Sequence, residues 1–308
     1  MTHPIGTGSV TGIIANLVIV AADFPVAQSE ICYVAVGDLE LPGEVIKIYG
    51  RDIFVQCFES TRGMRVGAPV RFTGEMLEAT LGPGMLSKIY DGLQNDLHKM
   101  ETLFLQRGQS SPPLDAERRW HFEPLVSPGQ TVRAGDWLGQ VRENALPIKI
   151  MVPFKTVGVC QVTHLVPAGE YGLDEAVAVL TDADGTPVEV FLWQKWPVKR
   201  PIRAYAEKVR PFALLETGVR IFDSLIPMVE GGTGFIPGAF GTGKTVLQHA
   251  ISKQARADVV IFAACGERAN EIVEVFTEFP KLDDPHTGGK LMDKTVIIAN
   301  TSNMPVAA

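Results

Sequence analysis

The eight residues Gly238-Ala239-Phe240-Gly241-Thr242-Gly243-Lys244-Thr245 fit the phosphate-loop pattern G-x-x-x-x-G-K-[ST] at every fixed position. The pattern constrains the fold because such a loop works between a strand and a helix. Ahead of it, Gly234-Phe235-Ile236-Pro237 is short and apolar and reads as a strand. Behind it, Val246, Leu247, Ala250 and Ile251 recur at helical spacing, so the loop opens a helix. Glycines at 238, 241 and 243 let the backbone curl until successive N–H groups face an anion, and the helix N-terminus adds partial positive charge. Lys244 brings a mobile charge for the β and γ phosphates, and the Thr245 hydroxyl is a natural Mg2+ ligand. The competing reading is a glycine-rich turn capping an ordinary helix, with Lys244 solvated. The strand–loop–helix setting favours a nucleotide-binding loop over residues 238–246.

Composition limits what surrounds that loop. A chain of 308 residues has room for two or three domains, and 46% hydrophobic with 20% charged residues describes a globular protein. The formal charge is −7 with no run of Lys or Arg, which argues against a nucleic-acid surface. No segment approaches the roughly 18 apolar residues of a membrane span. The nearest, Ile13–Ala22, is broken by Asn16, bounded by Asp23 and without a basic leader. The expectation is a cytoplasmic protein whose membrane role, if it has one, comes through partners. Cys32, Cys57, Cys160 and Cys265 form no C-x-x-C and are expected to be small buried residues in a reducing compartment. The histidines form no zinc-ligand pair, and His249, inside the helix after the loop, reads as a partly buried structural residue.

Four regions separate along the chain. Residues 1–74 carry short β-rich runs at Thr11–Val20, Ile31–Val36, Glu44–Tyr49, Ile53–Phe58 and Pro69–Thr73, with turns marked by Pro42-Gly43 and Arg62-Gly63. That spacing predicts a small closed barrel. Residues 75–110 contain the break Leu81-Gly82-Pro83-Gly84, then Met85, Ile89, Leu93, Leu97 and Met100, whose spacing near four predicts short helical pieces. Residues 111–192 form a second β-rich block. In it, Val126-Ser127-Pro128-Gly129-Gln130-Thr131-Val132 is echoed by Val132-Arg133-Ala134-Gly135-Asp136-Trp137-Leu138. The echo resembles the paired glycine turns of biotinyl and lipoyl carriers, but Lys149 sits inside a strand-like run where no carrier lysine belongs. From residue 193 to 308 the pattern turns to strand, helix, strand. Asp258–Ala264 reads as a strand buried on both faces, Ala269–Glu278 as a helix with Ile272, Val273 and Phe276 inward and Glu271, Glu274 and Glu278 outward, and Thr295–Ala299 as another buried strand. This is the α/β pattern of a nucleotide-binding domain.

A second constellation, Cys265-Gly266-Glu267-Arg268, follows the first of those strands. Ligands of open parallel sheets sit outside the carboxyl ends of strands, where the phosphate loop also lies. Glu267 is thus placed to orient or deprotonate a water attacking the γ-phosphorus, and Arg268 to stabilise charge on the phosphoryl oxygens. Taken alone, Gly-Glu-Arg reads as a surface ion pair opening the next helix; the phosphate loop tips the balance toward chemistry.

Gly231-Gly232-Thr233, the phosphate loop, Cys-Gly-Glu-Arg at 265–268 and Ile298-Ala299-Asn300-Thr301-Ser302-Asn303-Met304-Pro305 through Ala308 together resemble the catalytic A subunit of the V-type/A-type rotary ATPases. So do Leu81-Gly82-Pro83-Gly84, Ile89-Tyr90-Asp91-Gly92-Leu93-Gln94, Trp120-His121-Phe122 and Trp196-Pro197-Val198-Lys199-Arg200-Pro201, and the likeness is collinear over essentially the whole chain. The resemblance implies a small N-terminal β-barrel, a β-rich insertion (the bulge) and a P-loop α/β nucleotide-binding domain. It implies ATP and ADP as substrates with Mg2+, and ATP hydrolysis or synthesis coupled to H+ or Na+ movement. The implied partners are non-catalytic B subunits in an alternating hexamer, a central rotor and a peripheral stalk, peripheral to a membrane reached only through the ion-translocating sector. By motif position, Lys244 and Thr245 take the phosphate and Mg2+ roles, Glu267 the water-activating role and Arg268 a γ-phosphate contact.

Two loop positions depart from the family, Ala239 for its usual proline and Thr242 for its usual serine; losing the proline loosens the loop slightly. Members of the family continue past the point where this sequence stops. Neither buried run is followed by an aspartate suited to Mg2+, and three strand candidates fall short of the roughly five that such a sheet uses. The expectation is an N-terminal portion of the subunit, incomplete in its nucleotide domain and inactive alone. The alternative is a non-catalytic assembly or binding module of the same complex.

Overall fold

In the computed structural model, which describes residues 6–100, 107–205, 207, 209–239, 241–302 and 304, the first six strands close into a barrel. They are β1 (Thr7–Ile14), β2 (Leu17–Ala21), β3 (Glu30–Val36), β4 (Leu39–Tyr49), β5 (Asp52–Cys57) and β6 (Pro69–Met76), in the order β1-β2-β5-β4-β3-β6. Alternate residues, among them Val18, Val20, Ile53, Val55, Val70 and Phe72, turn inward to form one apolar core, and closure leaves no free strand edge. The run Thr11–Val20 is two strands rather than one, because Ala15 takes a left-handed φ of 52° and reverses the chain. Pro42-Gly43 is no turn either: both lie within β4, and Gly43 pairs with Cys57. A Cβ on Gly43 would stand 2.7 Å from Val55 Cγ1, so this glycine marks a close approach between strands. Cys32 and Cys57 are buried in the barrel, and burial pushes the Cys57 thiol up to about 11 and the Cys32 thiol higher still. Cys160 is buried as expected, but Cys265 is exposed.

Beyond the barrel come β7 (Glu78–Leu81) and β8 (Ile89–Tyr90). Here the helical reading fails: among the described residues of this stretch only Leu97–Lys99 is helical, as a single 3-10 turn. Ile89 and Tyr90 are extended because a strand some 200 residues on takes up their hydrogen bonds, a tertiary partner that overrides local spacing.

Eight strands follow: β9 (Trp120–Pro124), β10 (Thr131–Arg133), β11 (Trp137–Glu143), β12 (Leu146–Met151), β13 (Val159–Leu165), β14 (Gly169–Tyr171), β15 (Ala178–Thr181) and β16 (Pro187–Val190). They make two antiparallel four-stranded sheets, β10-β13-β15-β16 and β12-β11-β9-β14, each with its own apolar cluster. The echoed glycines, Gly129 and Gly135, both take positive φ, 93° and 85°, at turns. Lys149 pairs with Gln140 in the middle of β12 and is not at a hairpin tip, which accords with its exclusion as a carrier lysine. Strand β17 (Gln194–Pro197) then pairs with β7, so the chain leaves and re-enters through one two-stranded ribbon.

The remainder contains β18 (Leu214–Leu215), α1 (Arg220–Leu225), β19 (Met228–Val229), α2 (Lys244–Gln254), β20 (Val260–Glu267), α3 (Ala269–Glu278) and β21 (Thr295–Thr301). β20, β21 and β8 form a parallel sheet in that order, with β21 central. Thr295–Ala299 is buried as expected, but β20 is covered on one face only: Phe262 and Ala264 are in the core while Ile261 is 68% exposed. In α3 it is Ile272 and Val275 that are buried, and Val273, expected inward, is 53% exposed. Gly234–Pro237 forms no strand, since no strand among the described residues takes up its hydrogen bonds.

Candidate functional site

The phosphate loop is shaped by three glycines with two different jobs. Gly241 and Gly243 take φ of 79° and 81°, a left-handed conformation that costs L side chains, and a Cβ on either would meet open space. Gly238 is required for room instead: its Cβ would stand within contact of the Thr242 hydroxyl. That hydroxyl donates to the Ala239 carbonyl at 2.7 Å, and the Lys244 Nζ donates to the Gly238 carbonyl at 2.6 Å. The lysine therefore reaches back across the loop and holds its charge at the loop mouth. Lys244 also opens α2, with Gly243 as a cap that offers no side-chain hydrogen bond, so the first-turn N–H groups are left for a ligand. The Thr245 hydroxyl has no protein partner among the described residues. Ala239 lies in the loop, Val246 is 72% exposed just inside α2, and Phe240 falls outside the described residues.

Glu267 is brought to the same place by the sheet. The pairing of β20 with β21 slips between Cys265 and Glu267, and the intervening Gly266 has φ of 71°. Such a bulge bends the strand end and re-aims the next side chain. Glu267 then pairs with Thr301, and its carbonyl accepts the Ser302 N–H at 2.8 Å. Arg268 caps the start of α3. One cleft of about 700 Å³ is lined by residues 241–246 on one side and by Gly266, Glu267 and Arg268 on the other. The two constellations, separate in sequence, thus share a cavity.

The rest of the cleft contains residues with no assigned role in the sequence reading. Glu271 and Glu274, expected on the solvent side of α3, line it. The Oε2 of Glu271 is out of contact with solvent and has no hydrogen-bond partner among the described residues. Glu271 stands in the first turn of α3, which starts directly after the β20 end that carries Glu267. His249 is 6% exposed and packs edge-on against Phe262 and Phe279, with ring centroids 5.4 and 6.4 Å away. Burial pulls its pKa below the ordinary histidine range, offset in part by the Glu274 charge. Lys253, also in the lining, pairs with Glu278 at 2.6 Å. The cleft therefore offers Lys244, Lys253 and Arg268 to an anion, against the carboxylates Glu267, Glu271 and Glu274.

Comparison with known proteins agrees with this architecture region by region. Residues 10–74 match the beta-barrel domain of the ATP synthase alpha/beta family, residues 111–199 the barrel-sandwich domain of the ATP synthase alpha/beta subunit, and residues 218–308 the nucleotide-binding domain of the same family. Over 304 residues, 98% of this chain, it is 46% identical to the V-type ATP synthase alpha chain of Treponema denticola, covering 52% of that protein. Similar relatives are V-type ATP synthase alpha chain 1 of Treponema pallidum, 46% identical with 52% covered, and the V-type ATP synthase alpha chain of Borreliella burgdorferi, 44% identical with 53% covered. The chain spans about half the length of the curated relatives it matches.

Proposed function

The chain belongs to the ATP synthase alpha/beta family, and from that membership and the cleft we propose that it is part of the catalytic alpha (A) subunit of a V-type ATP synthase. The single observation that carries the reading is the cleft holding both the phosphate loop and Glu267. In this reading the subunit alternates with non-catalytic B subunits in a hexamer, contacts a central rotor and peripheral stalk, and couples ATP hydrolysis or synthesis to H+ or Na+ transport. No helix among the described residues is long and apolar enough to cross a membrane; in this reading the contact with the bilayer belongs to other subunits of the complex. The same reading divides the chain into the barrel, the connecting segment, the insertion and the nucleotide domain.

The chemistry follows from residues already placed. Backbone N–H groups of residues 241–245 and the α2 N-terminus receive the β and γ phosphates. Lys244 exchanges its bond to the Gly238 carbonyl for a phosphate oxygen, a swap within reach of one flexible side chain. Glu267 orients the attacking water and accepts its proton, while Arg268 stabilises charge growing on the γ-phosphoryl oxygens. The residues present also suit Mg2+: Thr245 offers an uncommitted hydroxyl at the loop, and the remaining oxygens come from phosphate and water. Bound there, the ion would neutralise phosphate charge.

Glu267→Gln keeps the side chain's shape and removes its basicity. In the assembled complex it should bind nucleotide as the parent does, while single-turnover hydrolysis falls by about two orders of magnitude or more. Turnover at the parent rate would reduce Glu267 to an ion-pair residue and remove the catalytic assignment.

A further inference from the structure

The insertion is joined to the rest of the molecule by the β7/β17 ribbon, and a second attachment lies at the far end of β11. Glu143, 2% exposed, accepts the Gly84 N–H at 2.8 Å on Oε2 and the Leu86 N–H at 2.9 Å on Oε1. Beside it at the hairpin tip, Asn144 holds a left-handed φ of 52° and donates its side-chain amide to the Asp293 carbonyl at 2.7 Å. Below the tip, Leu146 and Ile148 of β12 pack against a small core of Leu86, Tyr90 and Val296.

The residues gripped in this way lead directly into the nucleotide sheet. The Ser87 N–H donates to the Thr295 carbonyl at 2.9 Å, the Ile297 N–H donates to the Lys88 carbonyl at 3.0 Å, and β8 adds its two residues to β21. β21 in turn pairs with β20 as far as Thr301 opposite Glu267, where Ser302 closes the turn. Two side-chain anchors, Glu143 and Asn144, followed by the backbone ladder of β8, β21 and β20, thus join the insertion hairpin to the residue assigned to water activation.

We propose that the β11–β12 hairpin is a positioning element for the nucleotide cleft, with Glu143 and Asn144 holding β21 where it sets the Glu267 turn. The two side chains act through the backbone of residues 84–88 and Asp293, without touching nucleotide. Close-packed, hydrogen-bonded strands do not deform smoothly, so a displaced hairpin moves β21 instead of being absorbed locally. The coupling is reciprocal: whatever moves the insertion alters nucleotide affinity, and nucleotide steadies the insertion. This deepens the proposed function and rests on it for the identity of the ligand.

The test uses amide hydrogen exchange on the 308-residue chain with three variants. Asn144→Gly keeps the left-handed turn and deletes only the tip amide; Glu143→Ala removes both acceptors and is the harsher change. Thr163→Val on β13 is the control, since Thr163 bonds the Val179 carbonyl in the other sheet of the insertion. Exchange of β21 and Ser302 amides should rise about tenfold in Asn144→Gly and not in the control. Acceleration confined to residues 84–90 and 143–148, or equal in Thr163→Val, overturns the proposal. Should Glu143→Ala fail to fold, Asn144→Gly alone decides. Titration with Mg-ATP separates the two claims. Affinity falling about threefold or more in Asn144→Gly alone supports the positioning role. A parent that binds no Mg-ATP in the full-length subunit, while β21 still responds, counts against the proposed function and leaves the hairpin's hold on the strand intact.

Discussion

At the scale of single residues, the phosphate loop already holds its lysine through a bond of its own. Lys244 is already bonded to the Gly238 carbonyl, so part of what it gains from phosphate is offset by the bond it gives up. Lys244→Ala should therefore weaken Mg-ATP binding by about tenfold, the lower end of the range for a charge-assisted contact. Calorimetric titration of parent and variant checks this, and equal affinities would remove the lysine from the site. His249 gives a second prediction. Its folded pKa lies below the ordinary value of about 6.5, mainly because burial between Phe262 and Phe279 disfavours the imidazolium. The sign follows: the stability it contributes is full above about pH 6.5 and is lost as pH falls through the depressed folded value. Urea midpoints measured from pH 7.5 to 5 should drop more steeply for the parent than for His249→Gln. Parallel curves would mean that the ring is not held neutral. Both residues were legible in the sequence, one by motif and one by position in an amphipathic helix. Glu271 was not, because helical periodicity counts a carboxylate as solvent-facing and cannot know that a cleft replaces the solvent.

At the scale of elements, the same limit recurs. Helix α2 opens at the loop as expected, and α3 begins and ends where its spacing predicts, since an amphipathic helix needs only its own residues to declare itself. Strands β8 and β20 depend on partners. Ile89-Tyr90 is too short to show any period and becomes a strand only through β21. The apolar run of β20 promised two covered faces and has one. The loop after α3 is held by something no pattern announces, a buried ion pair. Lys294 and Asp284, 5% and 2% exposed, meet at 3.0 Å, and the lysine also donates to the Ala257 carbonyl beyond α2. Burial pushes the Asp284 carboxyl up, but hydrogen bonds from Thr287 and Lys294 more than offset it, leaving it below the usual range. Lys294→Met leaves a buried carboxylate without its cation and should cost about 3–5 kcal/mol in chemical denaturation. Adding Asp284→Asn should restore part of that loss, because the uncompensated charge is what hurts. A double variant no better than the single would show that the pair contributes through packing alone.

At the scale of the whole molecule, cohesion is uneven. The barrel closes on its own core, and the insertion holds two clusters bound by antiparallel ladders. Between β17 and α2 the chain is different: Val198, Tyr205, Val209, Phe212 and Phe235 are 52%, 57%, 71%, 88% and 87% exposed, and the only paired strands among the described residues are the two-residue β18 and β19. Backbone with few buried contacts opens at little cost in free energy, and proteases cut what opens. Brief digestion with trypsin should therefore cleave first within residues 199–256, where Lys199, Arg203 and Arg220 are exposed and not followed by proline, and spare a fragment covering the barrel and insertion. Lys199 tests the argument from within, since its ammonium is bonded to Glu44 of β4 and ties this segment to the barrel. Cleavage at Arg203 and Arg220 should then precede cleavage at Lys199, and Glu44→Gln should erase that order. Mass spectrometry of the first fragments reads the sequence of cuts directly. Early cleavage at Arg51, Arg62 or Arg65 would mean that barrel closure does not protect its turns, and that stability is spread more evenly than the packing indicates.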